Sequence, residues 1–434
     1  MSTTTPRPGL DPAPDRTAPP SGGVAPVIDH PPEWPVYDED AVARATALVR
    51  AGRTFDYRHG PELAELEGLF SAQLDDRHVI ALNSGTSALF AAYYALGLGP
   101  GDEVVMPTLT FLATASPLFL LGAVPVLCDA GTDNGNVTAA TLRERVTDRT
   151  RAIAVTHLFG HPCPMDEIAA LATEYRLPLV EDCSHAHGST YRGRPVGTFG
   201  DLAVFSTGGV KLVSGGMGGV LASRSRHHYE LACLLSSFKQ RSELTVRDPR
   251  LRPLADVGLG GNLRISPVAA VLATSHLRRL PELTAAKRHN ASRLLAGLCR
   301  HPGVAALPVS PEVDMGAWYD VVVAVDPGRA GFTRDDLLAA LRAEGVRARV
   351  THTAPLHLTS MFQGHTPDAW RLYPPEVLAA GFRYRRGDLP RAEALHDRWL
   401  SLPATYLNEP GCRLVEPYLA AFDRVLDRLS GSGR

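Results

Sequence analysis

From residue 38 onward the chain carries two rhythms of apolar positions. Helical spacing, with apolar side chains recurring every three or four residues, runs over 40–49, 61–74 and 167–175. Between such stretches lie short, nearly continuous apolar runs at 78–82, 103–106, 124–128, 152–157, 177–181, 202–205 and 219–222. Runs of that length, alternating with helices, predict strands buried on both faces in a mostly parallel sheet of an α/β layer. The segment 87–96 is apolar on every side and predicts a buried helix, stopped at Gly97. After Leu280-Pro281 the pattern changes. A long helix over 282–298 leads to separated strands around 320–325 and 347–350, with helices over 334–344 and 413–429. That order reads as a smaller α+β domain, with the boundary near residue 275. Three parts follow: a Pro-rich tail over 1–33, a large domain over 34–275 and a small one over 276–434.

The tail has too few apolar residues to bury a core and reads as disordered or loosely packed. Ten prolines in the first 35 residues and the lack of an apolar core segment argue against a signal peptide. The chain has 434 residues, 44% of them hydrophobic, which exceeds one core of about 100–200 residues. The longest apolar stretch, 117–128, falls short of the roughly 20 residues that cross a bilayer. A net charge of −2 offers no basic footprint for nucleic acid. Six cysteines stand without a C-x-x-C pair, as expected for small buried side chains in a reducing cytoplasm. Three histidine pairs, 157/161, 185/187 and 227/228, lack the spacing and partners of a four-ligand zinc site, so no metal is expected.

Lysine and arginine total 44, yet only Lys211, Lys239 and Lys287 are lysines, so amine chemistry has three candidates. Lys239 and Lys287 sit in polar segments and read as solvated. Lys211 lies between apolar Val210 and Leu212, with six glycines within eight residues on either side. Glycines let a backbone approach a ligand closely, and a partly buried lysine has a lowered pKa and can act as a nucleophile. The Gly-Gly-Met-Gly-Gly string 215–219 does not fit a dinucleotide fingerprint, because Gly219 opens a strand.

Two further segments matter. The run 177–182 delivers Asp182 to the carboxyl end of a buried strand. A carboxylate there is either a cap or structural ion pair, or the partner of a protonated ring nitrogen. Asn83-Ser84-Gly85-Thr86-Ser87 lies between a strand and a helix. Alone it reads as an N-cap; with free N–H groups and hydroxyls it can also cradle a phosphate. A phosphate cradle (Gly85, Thr86, with Ser206), a strand-end acid (Asp182) and one activated lysine (Lys211) together meet the needs of pyridoxal 5′-phosphate. Phe111 stands where it can stack on a ring.

The order of motifs carries a resemblance. N-S-G-T-S-A-L (83–89), P-T-L-T-F-L-A-T-A (107–115), H-L-F-G-H-P-C-P-M-D-E-I (157–168), E-D-C-S-H-A-H-G (181–188) and F-S-x-x-x-x-K (205–211) resemble the DegT family. These are sugar and aminocyclitol aminotransferases that use pyridoxal phosphate and have the aspartate aminotransferase fold. Gly258 to Arg264 is similar to the family's G-x-N-x-R segment, and Pro355-Leu-His357 to its P-L-H segment. The resemblance covers about residues 34–430.

It implies that Lys211 bonds the cofactor's aldehyde and later moves the proton, and that Asp182 keeps the ring nitrogen protonated. Gly85, Thr86 and Ser206 would bind the phosphate, Phe111 would stack on the ring, and His185 would lie near the phenolic oxygen. Asn262 would reach the phosphate of a neighbouring subunit, making a homodimer the active unit. Tyr57, Arg58 and His59 would lie at the substrate mouth, although an exposed turn fits them equally. The implied reaction moves an amino group from L-glutamine or L-glutamate to a ketosugar or ketocyclitol, in secondary metabolism such as antibiotic biosynthesis. His185 in place of the more usual Gln resembles the branch acting on cyclitol ketones.

Thr207, Gly208 and Met217 depart from the family's F-S-F-H and T-G-E-G-G, which implies a roomier, less polar cavity. A dehydratase or aromatising synthase on a related cyclic substrate is the alternative. Relatives that deoxygenate replace the lysine with His, and Lys211 is present.

Overall fold

The computed structural model describes residues 28–30, 34–363, 375–379 and 383–431. Seven strands form the central sheet: β1 (His78–Leu82), β2 (Glu103–Pro107), β3 (Val124–Cys128), β4 (Thr150–Thr156), β5 (Leu179–Asp182), β8 (Leu202–Ser206) and β9 (Gly219–Ser223). Between β5 and β8 the short β6 (Thr190–Tyr191) and β7 (Arg194–Pro195) form a separate hairpin. The sheet runs β1-β9-β8-β5-β4-β2-β3, and β9 alone is antiparallel to its neighbours. Each apolar run in the sequence is therefore a strand. The strands are almost wholly buried because helices cover both faces.

The all-apolar helix is Gly85–Ala95, and its Ala88, Leu89, Ala92 and Tyr93 belong to the main core. The stretch 117–128 is broken in two. The helix Ser116–Leu121 ends at Gly122, whose φ of 74° is left-handed, and β3 follows. The helix Pro267–Arg278, with no place in the sequence reading, packs beside the helices Glu39–Arg50 and Pro61–Gln73.

The second half builds a four-stranded antiparallel sheet from β10 (Val304–Ala306), β12 (Asp320–Val325), β13 (Arg349–Val350) and β14 (Trp399–Pro403), in the order β10-β12-β14-β13. Strand β14 is central yet escaped the sequence reading, because Trp-Leu-Ser-Leu-Pro is short and ends in proline. Strand β11 (Val313–Asp314) pairs with β6, stitching the second half onto the first. The helix Leu280–Leu298 serves both cores. Leu280 and Leu283 pack with the first, and Ala291, Leu294 and Leu298 with the second.

The expected loose tail over 1–33 lies outside the described residues except for Ile28-Asp29-His30. Two of these make contacts: Ile28 packs on the second core and His30 Nε2 lies 3.0 Å from the Tyr418 hydroxyl. Among the described residues no helix is long and apolar enough to cross a membrane.

Successive side chains of β5 leave on opposite faces. Glu181 points away from the cavity that receives Asp182. Its buried carboxylate accepts from the backbone N–H groups of Gly197 (2.8 Å), Phe199 (2.8 Å) and Gly200 (2.7 Å), with His157 Nε2 3.3 Å away. It thus ties the loop before β8 to β5. Glu181→Gln puts an amide N–H against a backbone donor. The expected cost is about 2–3 kcal/mol, read as a lower midpoint in urea unfolding.

Candidate active site

The carboxyl ends of β4, β5 and β8 converge on one cavity, lined by Gly85, Thr86, Phe111, Asp182, His185, Ser206 and Lys211 among others. Open α/β sheets place ligands at that edge. The register explains the convergence: Thr156 of β4 is opposite Asp182 of β5, which is opposite Val204 of β8. Seven of the eight residues assigned from sequence are thus brought together. The eighth, Asn262, does not line this cavity. It sits at a left-handed φ of 54° on an exposed loop, its Oδ1 accepting from Arg264 at 2.7 Å.

The cradle is a close approach of two elements. Ser84 caps the helix Gly85–Ala95, its hydroxyl accepting from Ser87 N at 3.0 Å. A Cβ on Gly85 would lie 2.9 Å from Cβ of Ser206, so only glycine lets the helix N-terminus and the end of β8 meet. That leaves backbone N–H groups and the Thr86 and Ser206 hydroxyls facing one space, the donor set an anion takes.

Asp182 is buried and half-satisfied. Thr114 Oγ1 donates to one oxygen at 2.7 Å and Ser184 N–H to the other at 3.1 Å. Behind Thr114 stand the hydroxyls of Thr110, 2.7 Å away, and Thr156, a further 2.8 Å on. This hydroxyl chain fixes the carboxylate and leaves lone pairs for an N–H donor in the cavity. Thr110 and Thr114 lie within 107–115, but only the folded β4–β5 register shows what they do.

Lys211 lies in a loop folded on itself. Its N–H donates to Gly208 O at 3.0 Å, and Trp34 Nε1 donates to its carbonyl at 2.7 Å. Burial pushes the amine's pKa down to about 8, against the opposing pull of Asp182 and Asp320. Its Nζ sits 4.1 Å from the centroid of the Tyr319 ring. That ring stacks on His185 with centroids 3.9 Å apart and 8° between planes. His185 is buried, its Nδ1 has no hydrogen-bond partner, and burial with Lys211 nearby holds its pKa well below the ordinary value. It is neutral. His187 bonds Ser206 O at 2.9 Å and is pushed to about 4 by burial.

Phe111 is 54% exposed on the cavity wall. Of the departures, Gly208 and Met217 line the cavity, whereas Thr207 is fully buried and stands outside the lining. The expected loss of polarity at the wall therefore comes from Gly208 and Met217. The loop carrying Tyr57, Arg58 and His59 is not part of the lining. His59 Nε2 meets Glu67 at 2.8 Å, and Arg264 stacks on Tyr57.

One expectation is overturned. Lys287 is not solvated: it is 2% exposed, and its Nζ donates to Trp318 O at 3.2 Å. The face of the helix Leu280–Leu298 that carries it meets the turn before β12, which no periodicity discloses. Lys239 is exposed, with Glu243 3.7 Å away. The ligand atoms of His157, Glu181 and Cys183 lie within 4.8 Å of one another. His157 Nδ1 already accepts from Cys163 N at 3.0 Å and Glu181 is filled by backbone donors, so these groups are structural.

An enclosed amine, a strand-end acid and an anion cradle in one cavity are what a phosphorylated aldehyde cofactor and amino-group chemistry require. Comparison with known proteins shows the family. The chain belongs to the DegT/DnrJ/EryC1/StrS aminotransferase family, which it matches over residues 36–408. It is a pyridoxal phosphate-dependent aminotransferase of the sugar aminotransferase group. It is 30% identical over 392 residues to the dTDP-3-amino-3,4,6-trideoxy-alpha-D-glucose transaminase of Streptomyces venezuelae, covering 90% of this chain and 94% of that one. An aminotransferase structure from Psychrobacter cryohalolentis superposes with a TM-score of 0.80 at 26% identity, over 93% of this chain and all of that one. The structure of a 3-amino-5-hydroxybenzoic acid synthase superposes at 0.76 with 25% identity, over 94% of this chain and all of the other.

Two variants test the site. Thr114→Val removes one donor to Asp182, and a weakening of cofactor binding by about tenfold is expected, read by absorbance titration. Lys287→Met removes a buried amine whose pKa burial lowers to about 7. Below pH 7 the wild type carries an enclosed charge that destabilises the fold. Between about 7 and 10.5 only the unfolded chain holds that proton, so wild-type stability rises with pH. The variant should melt higher by roughly 3–6 °C at pH 6.5, the gain shrinking to nothing as pH approaches 10.5.

Proposed function

We propose that this chain moves an amino group from L-glutamine or L-glutamate to the ketone of a ketosugar or ketocyclitol, in the making of a secondary metabolite. The observation that carries the reading is the enclosed amine of Lys211, set in one cavity with the Asp182 carboxylate and the Gly85–Thr86–Ser206 cradle. The family supports it, and so does the Streptomyces relative, a transaminase of a dTDP-linked aminosugar.

Bound here, pyridoxal phosphate supplies an aldehyde that bonds amines and a ring that accepts the electrons of a broken C–H bond. The rest falls to side chains. The Gly85 N-terminus, Thr86 and Ser206 would hold its phosphate by charge-assisted hydrogen bonds. Asp182, oriented by Thr114 and Ser184, would hold a proton on the ring nitrogen. Lys211, whose pKa of about 8 lies near neutrality, would hold the cofactor through its aldehyde and, when free, would hold and move a proton at Nζ. Neutral His185 would offer a hydrogen bond beside the ring, and Phe111 would cover it.

The active unit in this reading is a homodimer. Asn262 does not line its own cavity and would reach the phosphate held by a second copy. The exposed apolar side chains Phe55, Val257 and Leu259 suit a surface that a second copy covers. A second reading, an aromatising synthase or dehydratase on a related ring, draws on the likeness to 3-amino-5-hydroxybenzoic acid synthase and on Met217, 66% exposed at the mouth.

The visible spectrum of purified protein separates the readings. Wild type should show the band of lysine-bound cofactor, and L-glutamine or L-glutamate should bleach it; Lys211→Ala should never form it. A band that no amino donor bleaches would move the second reading ahead.

A further inference from the structure

Tyr319 is an aromatic residue at the site that no sequence motif marks. It is reached through two left-handed aromatic residues: Trp318 has a φ of 41° and Phe159 a φ of 55°. Bulky side chains avoid that region, and such strain gathers where surroundings over-determine a position. Here they do. The Tyr319 N–H donates to Phe159 O at 3.0 Å, and the preceding carbonyl, that of Trp318, accepts from the buried Lys287 at 3.2 Å. Gly160 lets the two turns meet, since a Cβ on it would lie 3.0 Å from His185 O and 3.2 Å from Trp318 N. The outcome is a ring held face-on to Lys211 Nζ at 4.1 Å and backed by His185.

The groups around that amine divide by charge. Asp182 and Asp320 attract it and Lys287 opposes it, while His185 and His187, held neutral by burial, do not. Neither acid forms an ion pair with it among the described residues. Asp182 is taken up by Thr114 and Ser184, and Asp320 by Arg349, with its two oxygens 2.9 and 3.1 Å from Nη2. The π face of Tyr319 is thus the near neighbour that favours the ammonium without accepting its proton.

We propose that Tyr319 is a positioning residue for amino-group transfer, its ring holding the Lys211 amine while the lysine is not bonded to the cofactor. A carboxylate in that place would keep the proton too firmly, and water would let the amine wander. The quadrupole of the ring keeps the amine charged and aimed into the cavity, yet free to leave. This rests on the reading of Lys211 as the cofactor-bonding lysine.

With three lysines, the chain permits a direct test. Protein loaded with pyridoxamine phosphate, in which Lys211 is free, is trace-labelled with acetic anhydride across pH 6–11. The labelled peptides are then quantified by mass, with exposed Lys239 as internal standard. In Tyr319→Leu the apparent pKa of Lys211 should fall by about half to one unit, and in Tyr319→Phe by less than about 0.2. A Leu variant that matches wild type, or a Phe variant that moves as far as Leu, overturns the proposal. If the Leu variant does not fold, phenylalanines of increasing fluorine content at position 319 decide. A stepwise fall with fluorination supports the ring's role, and a flat series overturns it. Equal labelling of Lys211 in wild type loaded with pyridoxal phosphate and with pyridoxamine phosphate would instead sink the functional reading, and this role with it.

Discussion

Keeping one amine out of water without giving it a carboxylate of its own is the constraint on which the site depends. A paired lysine would stay charged through neutral pH, and a solvated one would keep its ordinary pKa. Lys211 does neither. Both nearby acids are committed elsewhere, Asp182 to Thr114 and Ser184, and Asp320 to Arg349. The amine is left with an aromatic face and a low-dielectric wall, and burial then sets it near neutrality.

The same economy governs the end of β5. Glu181 and Asp182 are adjacent buried acids with opposite duties, separated only by the pleat. Glu181 is saturated by three backbone N–H groups and closes the loop before β8. Asp182 turns the other way, into the cavity, with two donors and room for a third. One residue of register slip would exchange them and put a structural acid in the site.

The second half of the chain completes the first. Strand β11 pairs with β6, and the helix Leu280–Leu298 enters both cores. The turn before β12 then brings Tyr319 over Lys211. Lys287 belongs to this arrangement too: its burial destabilises the fold, and its hydrogen bond to Trp318 O holds that turn.

Much of this was legible in the residues themselves. The strands of the central sheet stand where the short apolar runs are, because strands buried on both faces admit little else. The cradle, Asp182 and Lys211 were legible because each lies just past a strand end within a local motif. Strand β14 and the helix Pro267–Arg278 were not, since one is short and proline-ended and the other lacked a distinctive pattern. The fate of Lys287 was illegible for another reason: a polar helix face looks solvated until another segment covers it. Tyr319 lies more than a hundred residues from Lys211 in the chain, and nothing local to it marks a site. Local chemistry along the sequence therefore determined the strands, most of the residues that line the cavity and its enclosed amine. Only the tertiary structure decided what surrounds that amine, because its charge is set by groups that long-range packing alone brings together.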